Sequence, residues 1–183
     1  MKEKISATGC WLSEDLVKSH HFDEKLAESI MSLIGDGWMV IDMGCGDGSY
    51  VKYLNKNGIH CWGIDGSPLT ERFANCTQWD LSQPTILHTD AEVVLSLEVG
   101  EHIPADYEQI FLDNLVQPNP ELIILSWAVE GQAGVGHVNC RNNDYIIAEM
   151  EKRGYGYNDG TSKHLRKIAR LPWFKNTIMV FEK

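Results

Sequence analysis

Basic residues, paired cysteines and long apolar runs are all scarce in this sequence. Its 183 residues include 16 Lys and Arg against 26 Asp and Glu, which gives a formal net charge of −10. Proteins that clamp a nucleic acid backbone usually show a basic face, so this charge argues against broad polyanion binding. The local basic cluster at 163–170 has helical spacing, which favours the solvated face of one helix.

The five cysteines are an odd number, and no two of them form a CxxC pair. We therefore expect reduced thiols, a cytoplasmic location and no zinc site of the CxxC type. No apolar run approaches the ~20 residues that span a bilayer. The first eleven residues have no apolar signal-peptide core, so the sequence predicts no membrane partner.

Short apolar runs alternate with helical patterns along most of the chain. The runs lie at 38–42, 60–65, 75–81, 91–99, 121–129 and 176–183, and the helical patterns at 21–34, 49–58, 67–75, 105–116, 142–154 and 161–170. This alternation predicts an α/β fold, doubly wound around a mostly parallel sheet with helices on both faces. We expect a single domain over 1–183, with a helical cap or lid at 1–35 and the core at 36–183.

The segment VIDMGCGDG at 40–48 runs from an apolar strand into three alternate glycines. Its GxGxG spacing is neither the GxGxxG of dinucleotide folds nor a P-loop, which needs GK[ST]. The glycines therefore form either a plain turn or the floor of a cofactor pocket that holds no phosphate. Asp65 and Asp80 end the next two apolar runs, where they could be helix caps or ligands of a ribose and an adenine amino group.

Together, these segments resemble class I S-adenosylmethionine-dependent methyltransferases over most of residues 36–183. The resemblance implies a Rossmann-like sheet of seven strands with the last one antiparallel, and S-adenosylmethionine as cofactor. It implies Asp42, Gly44 and Gly46 beside the methionyl group, and Asp65 on the ribose. The remaining cofactor contacts that it implies are Cys45, Gly66, Leu97, and Asp80 with the Leu81 backbone on the adenine.

LSLEVGEHIP at 95–104 places Glu98, Glu101 and His102 in an ExxEH cluster. Adjacent carboxylates repel one another, and a divalent cation such as Mg²⁺, Mn²⁺ or Zn²⁺ would relieve the repulsion. The cluster resembles the motif of ubiquinone-pathway O-methyltransferases and small-RNA 2′-O-methyltransferases. That resemblance implies a metal held by Glu98, Glu101 and His102, with His137 of the glycine-rich loop 131–143 as a further ligand.

The catalytic candidates are His102, His137 and Glu98. Without a metal, His102 or His137 would act as general base, since histidine titrates near neutral pH. In that case Glu98 would contact the cofactor side and His102 would cap the next helix. In the N-terminal segment, Trp11 could stack on a ligand or act as a hydrophobic plug. His20 or His21 could reach the cleft.

The function that we infer is S-adenosylmethionine-dependent methylation of a hydroxyl on a small-molecule or sugar-like acceptor, assisted by a divalent metal. One alternative is a 2′-O-methyltransferase acting on a nucleic acid end. Another is a non-catalytic subunit that binds S-adenosylmethionine. The sequence leaves open the acceptor, including nitrogen or carbon acceptors, and the oligomeric state.

Overall fold

A single mixed sheet forms the centre of the molecule in a computed structural model that describes residues 4–85 and 90–183. Its seven strands are β1 (Met39–Met43), β2 (His60–Asp65), β3 (Cys76–Gln78), β4 (Val93–Leu97), β5 (Leu122–Ser126), β6 (Gly156–Tyr157) and β7 (Met179–Glu182). The strand order is β3-β2-β1-β4-β5-β7-β6. The first five strands are parallel, whereas β7 is antiparallel to both β5 and β6. The predicted fold class is confirmed.

Seven α-helices accompany the sheet within residues 4–85 and 90–183. They are α1 (Glu14–Val17), α2 (Glu24–Met31), α3 (Ser49–Lys56), α4 (Glu108–Val116), α5 (Asn143–Lys152), α6 (Asp159–Ile168) and α7 (Phe174–Thr177). No helix in the described part of the chain is long and apolar enough to cross a membrane.

Two apolar clusters cover the two faces of the sheet. One cluster packs α4 and α5 against strand residues such as Ile41 and Ile123. The other packs α2, α3 and α6 against their neighbours Val40 and Ile124. Neighbouring strand residues point to opposite faces, and every strand residue named here is buried. The near-continuous apolar strands of the sequence are therefore explained by burial on both faces.

The structure corrects several predicted element boundaries. The helix predicted at 67–75 is only a 3₁₀ turn at Thr70–Arg72. The strand predicted at 176–183 begins later, because α7 occupies its first residues. The helix predicted at 161–170 starts at Asp159, where the Asn158 side chain accepts a hydrogen bond from the Thr161 N–H. Strand β6 and helix α1 are too short for a periodic pattern to reveal.

The predicted cap at 1–35 contains α1 and α2, while its residues 1–3 lie outside the described residues. Before α1, Ile5 and Trp11 form an isolated antiparallel bridge. Helix α2 is shorter than the predicted 21–34 because Asp23 caps it, accepting a hydrogen bond from the Leu26 N–H at 3.1 Å. The segment 4–21 lies near the ends of β1 and β2, as contacts of Cys10 and His20 with Gly66 and Gly46 show.

Candidate functional site

A cavity of about 490 Å³ lies at the carboxyl ends of β1, β2 and β4. Ligands of doubly wound sheets bind at this edge. Eight of the nine predicted cofactor residues line the cavity: Asp42, Gly44, Cys45, Asp65, Gly66, Asp80, Leu81 and Leu97. The ninth, Gly46, is covered by His20, whose Nε2 would lie 2.4 Å from a Cβ placed on that glycine.

The glycine loop has little capacity to bind an anion. Four of its N–H groups already have acceptors within the protein: Gly44 and Cys45 donate to the Ile64 carbonyl at 2.7 and 3.1 Å, Gly46 to Asp65 Oδ2 at 3.0 Å, and Gly48 to the Cys45 carbonyl at 2.9 Å. A phosphate cradle needs such groups free to face its ligand. The geometry therefore agrees with a pocket floor that holds no phosphate.

Gly44 is required by the packing of the loop. Its φ of +88° is in the left-handed region, and a Cβ there would lie 2.3 Å from Val99 Cγ2. Any larger residue would strain the backbone and displace the segment that follows β4. This glycine therefore brings the loop after β1 and the loop after β4 together at the cavity.

Asp65 joins the glycine loop to the turn after β2. Its Oδ2 accepts the hydrogen bond from Gly46 N, and its Oδ1 accepts one from Ser67 N at 2.7 Å. Asp80 is fixed in a similar way, because its Oδ1 accepts a hydrogen bond from Ser82 N at 3.0 Å. Both carboxylates are thus held in place in the cavity wall, and their oxygens retain further lone pairs for a ligand.

Asp42 is buried at the end of β1, with 3% of its surface exposed. Its carboxyl group has no hydrogen bond or ion pair among the described residues. Burial raises the pKa of Asp42 well above its usual value, and the charges of Cys76, Asp65 and Asp47 add to the effect. A positively charged ligand group in the cavity would offset this cost.

Asp42 should make the protein less stable as the pH rises. A folded-state pKa above the unfolded value of about 3.9 means that the native state binds more protons, so the free energy of unfolding falls between these two pKa values. The slope from this group is at most about 1.4 kcal/mol per pH unit. Asp42→Asn should remove this contribution to the pH dependence of stability. Melting curves of the wild-type and Asp42→Asn proteins across pH 4–8 would test this. Parallel pH profiles would contradict it.

A second group of polar side chains lies where β4 ends. One ligand atom from each of Glu101, His102 and His137 lies within 4.8 Å of the other two. Glu101 is fully buried, and neither carboxylate oxygen has a hydrogen-bond partner of normal geometry. His137 lies beside it, with Nε2 3.8 Å from Glu101 Oε1.

The environment of this cluster favours uncharged side chains. Burial raises the pKa of Glu101 well above its usual value, with the nearby Glu98 charge as the next cause. Burial lowers the pKa of His102 to about 4, and His137 contributes to that shift. His137 Nδ1 lies 3.1 Å from the Gln132 carbonyl, which can only accept, so Nδ1 carries the proton and Nε2 presents a lone pair to Glu101.

Glu98 lines the cavity, but its side chain has other partners. Its Oε2 accepts a hydrogen bond from Gln132 Nε2 at 2.7 Å, and its Oε1 accepts one from Thr177 Oγ1 at 2.9 Å. The backbone of Glu98 is left-handed, with φ of +54°. Such strain in a non-glycine residue is costly and is concentrated at functional sites. Spacing along the chain does not indicate Gln132 or Thr177 as partners of Glu98.

The long loop between β5 and α5 is tied to the cluster by its backbone. Val138 N and Asn139 N donate to the Glu101 carbonyl at 2.8 and 3.0 Å. The backbone carbonyl of Asn139 accepts a hydrogen bond from Trp127 Nε1, and the Asn139 side chain donates one to the buried Glu108. The role of Glu108 could not be predicted from the sequence, because no regular spacing links it to His137. These bonds hold His137 beside Glu101.

The N-terminal segment covers the cavity and contacts both ends of it. The Trp11 ring lies 4.8 Å from the His20 ring and 5.4 Å from the His102 ring, between centroids. A Cβ on Gly66 would lie only 2.1 Å from Cys10 Sγ. The structure therefore brings Trp11 and His20 to the cavity wall. His21 also lines it, with its ring against Trp173 at 5.4 Å.

A family model described as "Methionine biosynthesis protein MetW" matches residues 24–118, just over half of the chain. The chain belongs to the MetW family. The part that matches this MetW model includes the glycine loop, Asp65, Asp80 and the ExxEH segment. It stops before the loop that carries His137. No curated protein sequence matches the chain.

Solved methyltransferase structures share the fold of this MetW-family chain. A TehB-like S-adenosylmethionine-dependent methyltransferase from Corynebacterium glutamicum is 19% identical, with a TM-score of 0.64 over 92% of each chain. The 1,6-didemethyltoxoflavin-N1-methyltransferase of Burkholderia thailandensis, solved with that acceptor and S-adenosylhomocysteine, is 16% identical. Its TM-score is 0.63, over 92% of this chain and 85% of that chain.

Magnesium protoporphyrin IX methyltransferase from Synechocystis PCC 6803, solved with bound S-adenosylhomocysteine, gives a TM-score of 0.60 at 19% identity. The likeness covers 85% of this chain and 80% of that chain. At such identities the comparison establishes the fold, and the activity has to be argued from the site itself.

Proposed function

We propose that this chain is an S-adenosylmethionine-dependent methyltransferase that methylates a hydroxyl group of a small-molecule or sugar-like acceptor. The observation that supports it best is the continuity of the cavity. Its wall joins the strand-end acids Asp42, Asp65 and Asp80 to His102 and His137. A cofactor on the acids and an acceptor beside the histidines would therefore share one space.

The charges of the wall fit S-adenosylmethionine. Five carboxylates line the cavity, from Asp42, Asp47, Asp65, Asp80 and Glu98, and its described wall contains no Lys or Arg. S-adenosylmethionine carries a sulfonium and an ammonium group, so it offers positive charge to the buried Asp42. Its two ribose hydroxyls match the fixed carboxylate of Asp65.

The size and charge of the cavity favour a small acceptor. About 490 Å³ is an ordinary volume for one small-molecule site, and here it has to hold the cofactor as well as the acceptor. A nucleic acid end would bring phosphates to a wall of carboxylates, with histidines as its only potential cations. We therefore prefer a small molecule to the 2′-O-methyltransferase alternative.

Glu101, His102 and His137 fit a divalent metal. The oxygens of Glu101 and the Nδ1 of His102 are buried without normal hydrogen-bond partners, and such groups are costly unless they are satisfied. The Gln132 carbonyl orients His137 in the way that outer-shell partners orient metal-bound histidines. One carboxylate with two imidazoles suits Mn²⁺ or Zn²⁺ better than Mg²⁺. Glu98, already bonded to Gln132 and Thr177, would position the loop.

A bound cation would lower the pKa of the acceptor hydroxyl and fix its direction. The protein contributes by holding cofactor and acceptor in contact for in-line transfer of the methyl group. Trp11 and the glycine-rich loop exclude water from that contact. Without a bound cation, His102 or His137 would instead take the hydroxyl proton, and His102, with a pKa of about 4, is neutral at pH 7.

Calorimetry with S-adenosylhomocysteine and then Mn²⁺ tests the proposal. We expect one nucleoside per chain and one Mn²⁺ per nucleoside-saturated chain. Glu101→Gln should weaken Mn²⁺ binding by at least about 100-fold, since even outer-shell changes cost about 10- to 100-fold. Glu130→Gln, which alters an exposed acid near the same loop, should leave Mn²⁺ binding unchanged.

The outcomes separate the parts of the proposal. Absence of heat with the nucleoside would contradict the methyltransferase assignment. Nucleoside binding without Mn²⁺ binding would contradict the metal, and a histidine base would then be open to oxygen and nitrogen acceptors. Loss of Mn²⁺ in Glu98→Gln but not in Glu101→Gln would return Glu98 to the ligand set. A non-catalytic subunit would bind the nucleoside yet transfer no methyl group from labelled cofactor to any acceptor tested.

A further inference from the structure

His20 lies at the cofactor end of the cavity, above the glycine loop. Its Nε2 is so close to Gly46 that a Cβ on that residue would lie 2.4 Å away. The ring is also packed against Trp11, with centroids 4.8 Å apart and planes tilted by 40°. The His20 side chain is partly open to solvent and partly in the cavity wall. It is therefore placed to meet a ligand that enters over the loop.

The hydrogen bond of His20 determines which nitrogen faces the cavity. Its Nδ1 lies 2.7 Å from the Val17 carbonyl, and because a carbonyl only accepts, Nδ1 carries a proton. A proton gained by the ring then adds at Nε2, beside Gly46. In that state His20 presents a charged N–H donor to the cavity.

An amino-acid carboxylate bound in this cavity has few positively charged partners. The described wall carries five carboxylates and no Lys or Arg, so only His20, His21, His102 and His137 can supply positive charge. Four N–H groups of the glycine loop are already bonded within the protein. His102 and His137 lie with Glu101, and His21 packs against Trp173. His20 is the histidine whose ring packs against Gly46 of the glycine loop.

We propose that His20 binds the carboxylate of the cofactor's methionyl moiety. This inference rests on the proposed function, which supplies the cofactor, and it assigns one contact within that site. Asp65 and Asp80 would hold the nucleoside, Asp42 would face the positive groups, and His20 would neutralise the remaining negative charge. Because His20 belongs to the N-terminal segment, its contact would also hold that segment over the bound cofactor.

A pair of ligands that differ only at the carboxylate tests the assignment. S-adenosylhomocysteine carries the carboxylate, whereas its decarboxylated analogue keeps the nucleoside, the thioether and the amine. We expect His20→Ala to weaken S-adenosylhomocysteine binding about tenfold. Such a loss lies between that expected for an exposed ion pair and that for a buried hydrogen bond to a charged group. Binding of the analogue should change by less than about twofold, which makes the loss specific to one group.

His21→Ala is the matched comparison, because His21 is adjacent in sequence and lines the same cavity. It should alter the affinities for the two ligands by equal factors. Equal losses for both ligands in His20→Ala, or no loss for either, would overturn the assignment while leaving nucleoside binding by the wild-type protein intact. If the wild-type protein binds neither ligand, the proposed function fails and this inference fails with it.

Discussion

Asp65→Ala should weaken S-adenosylhomocysteine binding by at least about 100-fold. In the proposed function the Asp65 carboxylate would bind the two ribose hydroxyls, and hydrogen bonds to a charged group contribute about 1.5–3 kcal/mol each. The same carboxylate accepts hydrogen bonds from Gly46 N and Ser67 N, at 3.0 and 2.7 Å. Its removal would therefore also release the glycine loop from the turn after β2. Calorimetry measures the affinity directly.

Two comparisons make the Asp65 result interpretable. Asp80→Ala should cost only about tenfold, because Asp80 would make one adenine contact and its own bond to Ser82 N lies outside the glycine loop. Asp65→Asn should be nearly as harmful as alanine, since its amide NH₂ would face one of the two backbone donors. A cooperative melting curve for Asp65→Ala would show that the fold survives. Wild-type affinity in that protein would contradict the assigned ribose role.

Much of the fold could be predicted because the central strands β1, β4 and β5 are buried on both faces. The run at 60–65 matches β2 residue for residue, and Asp65 ends it as expected. What escaped prediction was short or depended on distant partners. Strand β6 has two residues and exists through pairing with β7. Helix α7 overlaps the first two residues of the strand predicted at 176–183, and it packs against α6 and β5.

The site residues that lie at strand ends could be predicted from the sequence. Those that are positioned by backbone turns could not. Asp42, Asp65 and Asp80 lie where the alternation of strands and helices placed them. The ExxEH spacing suggested that Glu98 and Glu101 act together, but the carboxylate of Glu98, whose backbone is left-handed, is bonded to Gln132 and Thr177. A sign change of φ at a non-glycine residue leaves no trace in sequence spacing. The contact of His20 with Gly46 likewise joins segments that are distant in the chain.

Asp23→Ala should destabilise the protein by about 3 kcal/mol. Asp23 is buried, and its Oδ1 caps α2 through the Leu26 N–H, which contributes about 1 kcal/mol. Its Oδ2 accepts hydrogen bonds from Arg170 N and Leu171 N, at 2.6 and 2.9 Å. Each of these donors would lose its acceptor, at about 1 kcal/mol or more. For a chain of this length we expect a fall in melting temperature of about 6–12 °C.

The control for this effect is Glu24→Ala, which removes an exposed acid from the first turn of the same helix and should cost at most about 1 kcal/mol. Asp23→Asn should recover little stability, because an amide NH₂ in place of Oδ2 would face two N–H donors. Asp23 lies three residues after His20, so loosening it should also weaken S-adenosylhomocysteine binding. A stability loss below that of Glu24→Ala would show that the bonds to Arg170 and Leu171 do not anchor the segment that covers the cavity.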